Sequence, residues 1–124
     1  MKLNKLDERQ KRISRFMSPP MEPIDEIIEA SKPVFRKYGI RKVILFGSFA
    51  RERQSRRSDV DLILIQETDK RYLDRFEGIL SDLYKSIRGR DLEVFIYTPE
   101  EFENIAHRKF IQRAVREGKV IYES

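Results

Sequence analysis

Two carboxylates open an apolar stretch: in S-D-V-D-L-I-L-I, Asp59 and Asp61 stand two residues apart, the spacing that sets both on one face of a strand. Charges that close repel and raise each other's pKa unless a cation lies between them. Glu93, in the run L-E-V-F-I, supplies a third acid in an apolar setting. Such groups are costly to bury unpaired, so a divalent cation or an edge position in water is expected. Twelve residues before Asp59, Gly47-Ser48 ends another apolar run, K-V-I-L-F. Glycine lets a ligand approach the backbone, serine adds a small donor, and free N–H groups opening a helix attract phosphate. A phosphate cradle beside a carboxylate cluster is the layout for metal-assisted phosphoryl or nucleotidyl transfer. Arg51, Arg53, Arg56 and Arg57 lie between the two, as a solvated loop or as an attraction for triphosphate or an acidic partner.

Composition narrows the cation. The 124 residues suit one domain with one core. There is no Cys, and His107 is the single histidine. That excludes disulfides and thiolate chemistry and leaves carboxylate-held Mg²⁺ or Mn²⁺ in preference to zinc. His107 itself reads as a surface or capping residue. No apolar run approaches the roughly 20 residues that span a bilayer, and the first residues lack a signal-peptide core, so a cytoplasmic protein without a membrane partner is expected.

The net charge of +5 would suit a nucleic-acid partner if it were spread over the domain. It is not. Residues 1–20 hold six Lys or Arg against Asp7 and Glu8, a balance of +4, while the remainder holds twenty against nineteen. The excess belongs to an N-terminal arm whose one aromatic is Phe16, and nucleic acid is not the expected partner.

These residues need a frame. Ser18-Pro19-Pro20 closes the arm (1–20) and leaves one domain (21–124). Apolar residues from Ile24 to Tyr38 recur at helical spacing, with a kink expected at Pro33 and a stop at Gly39. Lys42–Phe46 and Val60–Ile65 read as buried strands joined by the polar connection 47–58. The stripe from Tyr72 to Ile87 predicts one continuous, core-facing helix stopped by Gly89. Asp91 to Tyr97 alternates, with Asp91, Glu93, Phe95 and Tyr97 on one face. Thr98, Pro99 and Glu101 form a capping-box start to a helix whose Phe102 and Ile105 turn inward. A last helix runs from Phe110 to Gly118, and Lys119–Tyr122 adds an edge strand. The order is that of a small α/β (α+β) domain, a sheet of three to four strands packed by helices.

The run F-G-S-F-A-R-E-R-Q-S-R-R-S-D-V-D-L-I-L resembles the signature of the DNA polymerase beta-like nucleotidyltransferase superfamily. Within it, the minimal nucleotidyltransferase (MNT) branch has G-S-x-A-x-G, a short spacer, then S-D-x-D-L. Gly47, Ser48, Ala50, Ser58, Asp59, Asp61 and Leu62 match in type and spacing. V-F-I-Y-T-P-E-E-F-E and R-E-G-K-V-I-Y-E resemble later parts of the branch, so the likeness covers most of residues 24–123.

The resemblance implies a nucleotidyltransferase fold with a mixed sheet. It implies that Gly47 and Ser48, with Arg51 and Ser58, hold a nucleoside triphosphate such as ATP, and that Asp59, Asp61 and Glu93 are catalytic and hold two Mg²⁺, or Mn²⁺. It further implies transfer of AMP to a hydroxyl, a tyrosine, on a small all-helical HEPN-type partner with an RNase-type site, the chain being the antitoxin of a two-gene module. A homo-oligomer is left open. Two residues depart from the pattern: Glu52 replaces a Gly, and Glu93 stands where Asp is usual. The extra methylene moves the carboxylate by roughly 1 Å, comparable to shifts that cost about 10²-fold in rate. The alternative from another class is therefore a catalytically weak or inactive binding protein that masks the same partner sterically.

Overall fold

Asp25 and Glu26 in the first turn of helix α1 (Pro23–Lys37) and Arg36 and Lys37 in its last complement the helix dipole. Its inner face buries Ile27, Val34 and Phe35. Ser31 is also fully buried there, and its hydroxyl donates to the Ile27 carbonyl at 2.6 Å, so the polar group is satisfied. The computed structural model describes residues 23–47 and 59–124. The basic arm, together with Ser48, Arg51 and Ser58, lies outside the described residues.

The helix runs unbroken through Pro33, where a kink is predicted. Pro33 and Glu29, one turn back, are both exposed, so water can satisfy the carbonyl that the missing N–H leaves open.

Strands β1 (Ile40–Phe46), β2 (Val60–Gln66), β3 (Leu92–Tyr97) and β4 (Lys119–Glu123) form one sheet in the order β3-β2-β1-β4. β1 pairs antiparallel with β2 and β4, and β2 pairs parallel with β3. Helices cover both faces, which is why β1 and β2 read as near-continuous apolar runs. On one face Val43, Leu45, Leu62, Leu64 and Ile96 meet α1 and helix α2 (Ile79–Ser86). On the other, Ile44, Phe46, Ile63 and Ile65 meet Phe102 and Ile105 of α3 (Pro99–Ile105) and Ile111 and Ala114 of α4 (Lys109–Glu117). No helix among the described residues is long and apolar enough to cross a membrane.

The stripe from Tyr72 to Ile87 is not one helix. A 3₁₀ turn (Tyr72–Phe76) and α2 are separated at Gly78, whose φ is +80°. A Cβ at Gly78 would lie 2.7 Å from the Tyr38 hydroxyl oxygen, and that hydroxyl donates to Asp82 at 2.7 Å. The break admits Tyr38, a tertiary contact that periodicity along one segment does not encode. Tyr72, Leu73 and Tyr84 of the stripe are exposed instead of in the core.

The capping box at Thr98 forms as the sequence predicts, and Glu101 does more than close it. Its two oxygens accept from both terminal nitrogens of Arg75 at 2.6 and 3.1 Å. Arg75 is buried and also donates to the carbonyls of Ile96 and Lys70, each at 3.0 Å. The guanidinium beside it and the Thr98 N–H hold the Glu101 carboxyl down at about 2. A depressed carboxyl stabilises the fold above its unfolded value, near 4.5, and that contribution is lost as pH falls toward 2. Glu101→Gln is expected to cost about 1–2 kcal/mol at neutral pH, because it leaves a buried guanidinium short of its anion at a pair that solvent partly screens. Thermal unfolding from pH 7 to pH 2.5 should show the two proteins converging at the acid end.

Candidate active site

Strand register builds the site. Phe46 of β1 pairs with Asp61 of β2, and Asp61 pairs with Glu93 of β3, so the three form one row across the sheet. Their side chains share the face that carries α3 and α4. Behind them the next row is Ile44, Ile63 and Phe95, which is core. The Val60 N–H donates to the Asp91 carbonyl at 2.9 Å and so extends the β2–β3 pairing to the strand entrance. The carboxylates are held on rigid strands at the sheet's edge of burial, with apolar packing on one side and solvent on the other.

Asp61 is half-buried, while Glu93 and Asp59 are exposed. The Asp61 carboxyl is pushed up to about 6, first by burial, then by the charge of Glu93 and a hydrogen bond with it, and last by the charge of Asp59. Of the predicted three, Asp61 and Glu93 stand on paired positions of β2 and β3, and Asp59, one residue before β2, is near enough for its charge to act on Asp61. Among the described residues no three acidic or histidine side chains are gathered as a metal-holding group. His107 is exposed near the end of α3.

Gly47 ends β1 with φ +76°. A Cβ placed there would overlap the Asp61 Oδ2 and lie 3.1 Å from its Cγ. Glycine is required twice over, by a left-handed backbone and by a carboxylate packed where a side chain would be. The sequence pattern points Gly47 to phosphate alone and carries no sign of its contact with Asp61.

A cleft of about 210 Å³ opens beside Gly47, lined by Phe46, Gly47, Phe110, Arg113, Ala114 and Glu117. Motif spacing does not single out these α4 residues as part of a site. Their own signal is the spacing of 110, 113, 114 and 117, one flank of a helix whose Ile111 and Ala114 anchor it to the sheet.

The donor set fits a hard divalent cation. Among the described residues the row offers carboxylate oxygens from Asp61 and Glu93, and of the two main causes that raise Asp61, burial first and then the charge of Glu93, the second is what a cation between the acids would relieve.

The family model described as Polymerase beta, Nucleotidyltransferase matches residues 29–124. Two proteins of Methanocaldococcus jannaschii, each named "Putative protein adenylyltransferase" (MJ0604 and MJ1217), are 29% identical over 99 residues and 27% identical over 103. Those alignments cover 80% and 81% of this chain and 94% and 95% of the relatives. In fold the chain is similar to a crystal structure of a toxin-antitoxin with AMP-PNP, with TM-score 0.60 at 19% identity over 78% of this chain and 73% of that one. It is similar also to a complex of tri-AMPylated Shewanella oneidensis HEPN toxin with MNT antitoxin, with TM-score 0.51 at 17% identity over 79% and 71%. At these identities the likeness is one of fold.

Proposed function

Because the chain belongs to the polymerase beta nucleotidyltransferase family and is a nucleotidyltransferase, we propose that it moves AMP from ATP onto a hydroxyl of a partner protein. The observation that carries the reading is the row itself, with Asp61 and Glu93 side by side and Gly47 against Asp61. The names of the archaeal relatives support protein as the acceptor class. The toxin-antitoxin neighbours, one of them an AMPylated HEPN toxin with its MNT antitoxin, support a HEPN-type partner, and the family resemblance of the signature suggests a tyrosine of that small helical protein as the acceptor.

In this reading Asp61 and Glu93, with Asp59, are the residues that would hold two Mg²⁺. When bound, the cations neutralise triphosphate charge and make the acceptor hydroxyl more acidic. Gly47 and Ser48, with Arg51 and Ser58, seat the triphosphate. The acceptor oxygen attacks the α-phosphorus in line, the bond from that phosphorus to the bridging oxygen breaks, and pyrophosphate leaves. The hydroxyl proton passes to a Glu93 carboxylate oxygen, at the solvent-facing end of the row. The cytoplasm is the compartment where ATP and such a partner would meet.

Co-expression of the chain with a small helical HEPN-type protein, followed by incubation with ATP and Mg²⁺, tests this. Intact-mass measurement should show the partner heavier by one or more AMP groups. A partner that is neutralised with no change in mass would replace this reading with steric masking.

A further inference from the structure

We propose that the cleft between Gly47 and α4 is the seat of the donor's nucleobase, with Phe110 as its stacking platform and Arg113 as the group that reads the base edge. The proposal rests on the nucleotidyltransferase reading and adds to it the part of the site that distinguishes a nucleotide from bare triphosphate. At about 210 Å³ the cleft is smaller than the roughly 300–1,000 Å³ of sites that take a whole drug-sized ligand. It has room for one planar ring system whose sugar and phosphates continue outside it.

Its walls are those such a ring needs. Phe110 is 49% exposed, although its ring meets Phe46 and Phe95 with centroids 5.6 Å away in each case. The interplanar angles of 87° and 62° mark both contacts as T-shaped, so Phe110 is anchored by two rings while about half of it stays open beside the cleft. A base stacking on an aromatic gains affinity without needing a particular sequence of donors and acceptors. Arg113 and Glu117, paired at 3.2 Å, put a cationic donor and an anionic acceptor on the same lining, matching the mixed edge of a base. Position selects the donor's base over an acceptor's ring. The cleft includes Gly47 and lies over the end of β1, the phosphate side of the carboxylate row. Glu93, which faces the acceptor in the proposed chemistry, is two strands away on β3.

Binding to the full-length protein, measured by calorimetry with Mg²⁺, separates the parts. The two probes are AMP-PNP and inorganic tripolyphosphate. Phe110→Ala is expected to weaken AMP-PNP by about 10-fold or more while leaving tripolyphosphate unchanged, and Phe110→Trp to keep AMP-PNP affinity near wild type. Arg113→Ala should flatten any preference for ATP over CTP without changing tripolyphosphate binding. If Phe110→Ala leaves AMP-PNP unaffected, or weakens both probes alike, the base does not sit here. If it raises only the KM for the acceptor, the cleft holds the acceptor's ring and the proposal is overturned. A wild-type protein that binds neither probe would instead overturn the nucleotidyltransferase reading.

Discussion

Asp61→Asn is expected to abolish transfer, lowering its rate by about 10³-fold or more, and at the same time to make the cation-free protein more stable. The first effect follows from removing the central oxygen donor of the row, since cation stabilisation of a transferring phosphoryl group is worth several kcal/mol and each ~1.4 kcal/mol is tenfold in rate. The second follows from the carboxyl being raised to about 6 in the fold against 3.8 as its ordinary value. A folded state that holds the proton more tightly is stabilised in full below the lower value, and that stabilisation is lost as pH rises through the higher one. Wild-type stability should therefore decline between about pH 4 and pH 6 from this group, whereas the asparagine variant should stay level there. At pH 7.5 the variant should gain about 1–2 kcal/mol, allowing for the solvent that reaches a half-buried group. That is several degrees in Tm by calorimetry. Mg²⁺ should raise the Tm of the wild type and not that of the variant.

Gly47→Ala carries the second large effect. The left-handed backbone costs a non-glycine residue about 1–2 kcal/mol, and the new Cβ would clash with the Asp61 Oδ2. The carboxylate must swing away, so the damage reaches the chemistry and not only the stability. A displacement of about 1 Å at a catalytic group costs on the order of 10²-fold, and loss of that order is expected in kcat with a Tm decrease of several degrees. Gly39→Ala is the matched control. Gly39 has φ +65°, and a Cβ added there would meet nothing within 4 Å, so its variant should share the backbone cost and keep kcat.

The features legible in the sequence are those set by local period and by end signals. Alternation along the strands puts Asp61 and Glu93 on strand faces, the Thr98–Glu101 capping box forms where its residues predict it, and β4 takes the sheet's edge. The features that are not legible are contacts between distant segments. The split at Gly78 depends on the hydroxyl of Tyr38, from a different element, and the fit of Gly47 against Asp61 depends on β1–β2 register. Phe110 is packed against Phe46 and Phe95 and half-exposed at the cleft, a mixed position that helical period alone does not fix.

The most direct measurement follows the phosphorus. Parallel reactions with ATP labelled in the α or the γ phosphate, Mg²⁺ and the helical partner should place the α label on the partner and release the γ label in pyrophosphate, with no α label transferred by Asp61→Asn. A partner carrying the γ label, or α-label transfer undiminished in Asp61→Asn, would contradict a nucleotidyl transfer centred on the Asp61–Glu93 row.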